Sequence, residues 1–316
     1  MIISLTLNPS MDYLYEINSF HLGKLNRFKN PVRMVGGKGI NAGRTASILG
    51  SNVWTTGVLA GLNGSLVSSL LNKENFAKDF INIDGETRNA ITIIHDEGTQ
   101  TEMIEAGPQV NSIIEKDLLK KIIQQCKENP EVEVICLCGS VNSENDSLYK
   151  DFITKIKNEL RNNIKILADI SRTQLTNVLR SEIKPYFVKP NIHEFSEVLG
   201  IEMHTKDEVI KNLKSTALFD GISLIIVSCG EDGAIAKFEN DIYDLEIPKI
   251  KLVNPTGSGD ATVGGVAYAL DQKLSIEDTL RFAMASGVAN AMEEAVGFVT
   301  LENIDTIKEQ INVNKL

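Results

Sequence analysis

The apolar positions of this chain follow two rhythms. From residue 36 onward, short apolar runs of strand length alternate with longer stretches of helical spacing, the pattern of parallel strands joined by crossover helices. Segments 53–59, 132–138, 164–169, 186–189 and 223–228 read as strands, and the N-terminal Met1 to Leu7 alternates in the same way. Segments 40–49, 112–127, 146–160, 194–199 and 207–217 read as helices. Two of these stop at a glycine, Gly50 and Gly200, suited to the left-handed residue that follows a helix. The expected fold class is α/β, a mostly parallel open sheet covered on both faces.

Segments 12–35 and 89–105 break that rhythm, since they alternate like short strands with no helix of crossover length between them. Residues 89–95, a turn at Asp96-Glu97-Gly98 and residues 99–104 read as a hairpin. Both segments are expected to form one small antiparallel β lid over a main domain of residues 1–11, 36–88 and 106–316. Ligands bind at the carboxyl ends of the strands in open α/β sheets, so the lid would close over that edge. One face of such a lid would carry Ile91, Ile93 and Met103 and needs a cover, for which a second subunit is the expected source.

Composition narrows the partners. The chain has 316 residues, 42% hydrophobic and 23% charged, ordinary globular proportions for one large domain or a large domain carrying a smaller one. Its net charge of −10, with no basic block, argues against a nucleic-acid partner. No stretch approaches the roughly 18 apolar residues of a membrane helix, and the N-terminus lacks a basic flank, so neither a membrane nor a signal peptide is expected and the cytoplasm is the expected location. Cys126, Cys136, Cys138 and Cys229 have no zinc-like companion pair, and three of the four sit in apolar, strand-like surroundings and read as small core hydrophobes.

Four clusters carry candidate chemistry. Asn254-Pro255-Thr256-Gly257-Ser258-Gly259-Asp260 opens a small-residue helix, where free N–H groups make an anion site. A carboxylate there opposes a phosphate unless it has work to do, and a general base for an attacking hydroxyl is such work. The same residues would also serve as a turn with Asp260 as N-cap. Gly36-Gly37-Lys38-Gly39-Ile40-Asn41 opens another helix with donors suited to a sugar or phosphate, but no Walker A string occurs anywhere, which excludes a P-loop NTPase. In Lys189-Pro190-Asn191-Ile192-His193-Glu194, the amide and carboxylate share one face of a helical first turn, suited either to a hydrated Mg²⁺ or to capping. Ser228-Cys229-Gly230-Glu231-Asp232-Gly233 is a glycine loop after a strand, open to a nucleotide or simply a hairpin turn.

Taken together and in order, Asn8-Pro9-Ser10-Met11-Asp12, the Gly36 cluster, Thr87-Arg88-Asn89, Cys138-Gly139-Ser140, the Lys189 cluster, Ser228-Cys229-Gly230 and Gly257-Ser258-Gly259-Asp260 resemble the ribokinase-like (phosphofructokinase B type) sugar kinases from about residue 3 to residue 300. The string Gly85-Glu86-Thr87-Arg88-Asn89 and the basic pair Lys24 and Arg27 are similar to the hexose-phosphate branch.

The resemblance implies a ribokinase-like three-layer α/β/α sandwich and ATP-dependent phosphorylation of a ketohexose monophosphate, D-tagatose 6-phosphate ahead of D-fructose 1-phosphate. It implies Asp260 as base with the Gly257, Ser258 and Gly259 anion loop, and Asp12, Gly37 and Asn41 at the sugar. It puts Lys24 or Arg27, Lys38, Arg88 and Ser140 around the substrate phosphate. Lys189, Ser228, Gly230, Gly233, Gly257 and Asn290 fall at ATP, and Asn191 with Glu194 at Mg²⁺, held through water, with a monovalent cation such as K⁺ as a further companion. A homodimer through the lid is also implied. A non-catalytic sugar-phosphate sensor would be expected to lose Asp260, Gly257 or Gly259, and all three are present. The sequence departs from its relatives at Val141-Asn142, after Ser140, where they usually read Leu-Pro, and mildly at Ala261.

Overall fold

The computed structural model describes residues 1–316. Along the chain, β1 (Ile2–Thr6) leads into the lid strands β2 (Ser10–Glu16) and β3 (Val32–Gly36), then α1 (Lys38–Ile48), β4 (Val53–Ala60), α2 (Gly61–Leu71), β5 (Ala77–Lys78) and β6 (Ile81–Ile83). The lid hairpin follows as β7 (Arg88–His95) and β8 (Thr99–Ile104), then α3 (Ser112–Glu128), β9 (Val134–Cys138), α4 (Leu148–Glu159), β10 (Lys165–Asp169), α5 (Arg172–Leu179), β11 (Phe187–Val188), α6 (Ile192–Leu199) and α7 (Lys206–Ser215). The C-terminal part comprises β12 (Leu224–Ser228), β13 (Ala234–Phe238), β14 (Asp241–Glu246), α8 (Ser258–Asp271), α9 (Ile276–Ala291), α10 (Leu301–Lys308) and β15 (Asn312–Lys315).

The main sheet runs β15-β14-β13-β12-β11-β10-β9-β1-β4-β5, with β6 also on β4. From β12 to β6 every pairing is parallel; β13, β14 and β15 add an antiparallel edge. Successive residues of a strand point to opposite faces, and β9 shows the consequence: Val134, Cys136 and Cys138 join one core while Ile135 and Leu137 join the other. The two cores hold 37 and 35 buried residues, so the sheet is covered about equally on both sides. The first lies under α1, α2, α8, α9 and α10, the second under α3 to α7. This is the three-layer α/β/α arrangement.

The lid is a separate four-stranded sheet, β3-β2-β7-β8. Its outer pairs are antiparallel, as expected, while its central pair β2–β7 is parallel. Both central strands leave the main domain at the same root, with Ser10 opposite Arg88, and therefore run outward together. The hairpin turn has Asp96 at φ 44° and Glu97 at φ 65°, followed by Gly98 at φ 107°, the left-handed backbone that matches strand twist.

The lid faces also differ from the simplest expectation. Asp12, Leu14, Met34 and Thr92 line a narrow cleft against Asn254, Thr256 and Val296 of the main domain. The opposite face carries Tyr15, Ile93 and His95, and residues 17–31 fold over it: Phe28 packs edge-on to Tyr15 at 5.1 Å and Phe20 lies 5.4 Å from His95. Ile93 is consequently buried within one chain, at 3% exposure, whereas Met103 remains half exposed.

Candidate active site

Five parallel strands end at one place. Thr6 closes β1, Cys138 closes β9, Asp169 closes β10, Lys189 follows β11 and Ser228 closes β12. The loop Asn254 to Gly257 then feeds α8 into the same edge. Asn254 accepts the Thr256 N–H at 3.0 Å and donates to the Glu294 carbonyl at 3.0 Å, which fixes the loop. Gly257 has φ 82°, and a Cβ there would run into Val296 and Gly297. Within the loop the N–H groups of Gly257, Gly259 and Asp260 reach no protein acceptor, which leaves three donors at the positive end of a helix.

Asp260 stands in the first turn of α8, buried at 8% exposure. Its Oδ2 accepts a hydrogen bond from Asn41 Nδ2 at 2.8 Å, and Oδ1 is left without a protein donor. Burial pushes its carboxyl up to about 6, against the pull of Lys38; the nearby Asp169 adds to the rise. Asp169 sits between two lysines, with Lys38 Nζ at 3.3 Å and Lys189 Nζ at 3.8 Å. Burial opposes its charge, yet the two ammonium groups hold it below the usual carboxylate range. The Lys38 ammonium is raised in turn, with Asp169 and Asp260 outweighing its burial. A Cβ at Gly259 would meet Lys189 Nζ at 2.8 Å, so glycine at this place lets the ammonium approach the start of α8.

The lid contributes Asp12, whose Oδ1 accepts from Ser10 Oγ at 2.5 Å. Burial raises the Asp12 carboxyl to about 6, with Ser10 and Arg88 opposing the rise. Arg88, at the root of β7, has a buried Nε–H with no protein partner, and burial pulls its guanidinium below the ordinary value while Asp12 opposes. An unpaired buried donor on a cation is the property an anionic ligand would satisfy.

Other expected site residues make protein contacts of their own. The Asn41 amide, anticipated at sugar hydroxyls, is taken up at both ends, by Asp260 and by Arg44. Asn290, anticipated at the nucleotide, is fully buried; it donates to the Thr256 carbonyl at 2.9 Å and accepts the Gly297 N–H at 2.6 Å, so it ties α9 to the anion loop. Asn191 and Glu194 form a reciprocal capping box on α6, the arrangement that capping chemistry alone would give. Only Glu194 Oε2 is used in it; Oε1 makes no protein hydrogen bond, and as a hard, half-buried oxygen it suits a hydrated Mg²⁺.

Ser228 and Gly230 lie in a tight β12–β13 connection where the Cys229 N–H donates to the Gly233 carbonyl at 2.8 Å. Ser140 is exposed and follows Gly139, which packs on Lys38 at the start of α1, and Gly37 caps α1 with φ 124°. Asn142 donates to the Gly107 carbonyl at 2.9 Å, which joins its loop to residues 107–110. Lys24 and Arg27 are exposed on the segment that Phe20 and Phe28 anchor to the lid's far face.

Sequence reading missed Asp169. An acidic residue ending an otherwise apolar buried strand was visible, and at the carboxyl edge of a parallel sheet that is a site position. It also missed Arg44 and the Val296-Gly297 loop, which carry no local motif.

The chain is 37% identical to the tagatose-6-phosphate kinase of Staphylococcus epidermidis over 314 residues, 99% of each. Its fold matches a possible 1-phosphofructokinase of Thermotoga maritima with a TM-score of 0.87 at 22% identity, covering 100% of this chain and 99% of that one. It matches Escherichia coli phosphofructokinase-2 in complex with fructose-6-phosphate with a TM-score of 0.84 at 24% identity, covering 98% of each. That enzyme has also been solved with potassium and as a tetrameric inhibited form. Residues 5–302 match the model of the pfkB family carbohydrate kinases, and with this extent of agreement the chain belongs to that family, whose chemistry is phosphoryl transfer to an alcohol.

Proposed function

We propose that this protein transfers the γ-phosphoryl group of ATP to a hydroxyl of a ketohexose monophosphate, D-tagatose 6-phosphate, giving the 1,6-bisphosphate and ADP. The carrying observation is Asp260: with its Oδ1 free, it shares the start of α8 with three unpaired amide donors and lies within the field of Lys38 and Lys189. The similarity to the S. epidermidis tagatose-6-phosphate kinase supports the choice of sugar.

In this reading Asp260 Oδ1 takes the proton of the attacking hydroxyl. The amides of Gly257, Gly259 and Asp260 hold the oxygens of the transferring group, and Lys189 balances its charge. Asp12 orients the sugar from the lid. Arg88 pairs with the phosphate that the substrate already carries, helped by Lys38 and Ser140. Ser228, Gly230 and Gly233 offer a close backbone approach for the nucleotide. When bound, Mg²⁺ near Glu194 and Asn191 supplies charge neutralisation on the donor phosphates. The lid keeps water from the transferring group.

The lid also supports a homodimer. Its edge strands are β3 and β8, and Leu22, Leu25, Val32, Met103 and Ile104 leave apolar surface exposed there, which a two-fold contact would cover. Of the chain's helices, none is long and apolar enough to cross a membrane.

The test is a coupled ADP-release assay across tagatose 6-phosphate, fructose 1-phosphate, fructose 6-phosphate and ribose. Tagatose 6-phosphate is expected to give the highest kcat/KM. A higher value for fructose 1-phosphate would change the sugar, and a preference for ribose would overturn the phosphate-binding role of Arg88.

A further inference from the structure

Arg44 lies on α1 one turn after Asn41, buried at 7% exposure. Arginine offers five N–H donors and no acceptor, and four donations lead from this one to different parts of the molecule. Nε–H donates to Glu74 Oε1 at 2.8 Å. Nη1 donates to Asn41 Oδ1 at 2.9 Å and to the Val296 carbonyl at 2.8 Å, and Nη2 donates to the Val35 carbonyl at 3.2 Å. Val35 belongs to the lid strand β3 at its root. Val296 packs on Gly257, behind the anion loop, and the neighbouring Thr45 holds the Gly297 carbonyl at 2.9 Å. Val296 also donates its N–H to Met34 Sδ of the lid at 3.4 Å.

The donor-only character of Arg44 decides the orientation of Asn41. A carboxamide has an accepting end and a donating end, and the guanidinium accepts nothing, so Oδ1 must turn toward Arg44. Nδ2 is then aimed at Asp260 Oδ2, where the reverse orientation would set oxygen against carboxylate oxygen. The same cation lies close enough to Asp12 to favour its charged form against burial.

The geometry points to Arg44 as a positioning residue that sets the Asn41 amide toward Asp260 and joins that setting to the lid root and to the loop behind the anion site. Seating of the lid and alignment of the base then depend on one side chain. This inference rests on the kinase reading above, and its test has a readout that does not need turnover.

The variant is Arg44→Lys, which keeps the charge but cannot reproduce a planar fork directed at four acceptors. Hydrogen exchange by mass spectrometry should show faster exchange at residues 34–37 and 294–299 than in the wild type. The value of kcat should fall by about tenfold with KM for ATP within about threefold, because alignment and not nucleotide binding is lost. In an Asn41→Ala background the same replacement should cost less than about threefold more, since the path through the amide is already gone. Unchanged exchange, an unchanged kcat, or fully additive losses would overturn the inference. If Arg44→Lys does not fold, Glu74→Gln loosens only the outer anchor; it should raise exchange in the same two segments, and unchanged exchange there would overturn the inference equally. A wild-type enzyme that phosphorylates no ketohexose phosphate would sink the kinase reading, while the exchange result would still decide the role of Arg44.

Discussion

Replacing Asp260 by asparagine separates what this carboxylate does for the reaction from what it does to the fold. Burial raises the carboxyl from its ordinary 3.8 to about 6, so the fold disfavours the charged form by about 3 kcal/mol relative to an unfolded chain. That figure already contains the help from Lys38 and Asn41. The sign follows from a folded value above the unfolded one. The contribution to stability is fully present below about 4 and is lost as pH rises through about 6. Asparagine carries no charge at any pH. Asp260→Asn should therefore melt higher than wild type at pH 7.5, on the order of 5 °C, and the gap should close near pH 4. Turnover should move the other way. Without a base, kcat should drop by about 10²–10⁴ while nucleotide affinity is kept, and the wild-type rate should climb with pH through about 6, as the carboxyl loses its proton. The checks are calorimetry at several pH values, nucleotide titration and coupled kinetics. Near-wild-type turnover in the variant, or a melting gap that widens toward pH 4, would refute the reasoning.

Three further outcomes are expected. Arg88→Ala should raise KM for the sugar phosphate by about ten- to a hundred-fold, the loss of one charge-assisted contact, and leave KM for ATP near its original value; a rise confined to ATP would reverse the two ends of the cleft. Glu194→Gln keeps the reciprocal cap on α6 and should leave melting unchanged while raising the Mg²⁺ concentration needed for half-maximal rate; an unchanged Mg²⁺ requirement would remove Glu194 from the metal. Met103→Glu puts a charge on exposed lid surface and should convert the proposed dimer to monomer in sedimentation at micromolar concentration, whereas Ile93→Glu, buried within its own chain, should unsettle the lid itself; a wild-type monomer with full activity would discard the dimer.

Local order explains why much of this molecule was legible in its sequence. Strand and helix periodicity depends on residues a few places apart, so the segments near Val134–Cys138 and Ser112–Glu128 could be read directly, and the hairpin around Asp96-Glu97-Gly98 followed from its turn. The anion loop was legible for the same reason, because a glycine-flanked helix start leaves its amides free wherever it occurs. What tertiary structure decided were contacts between distant segments. Asp169 becomes a site residue only where β10 lies beside the residues that bring Lys38 and Lys189 to it. Asn41 and Asn290 meet partners 219 and 34 residues away, contacts that no local pattern shows. The central pair of the lid is parallel because two strands leave from one root, and Ile93 is covered because Phe20 and Phe28 fold back over that face. The sequence by itself determined the elements and the chemistry they carry, since both are written in short-range pattern and residue type; which donor meets which acceptor was decided by the folded chain, because hydrogen bonds and ion pairs depend on distances that only packing sets.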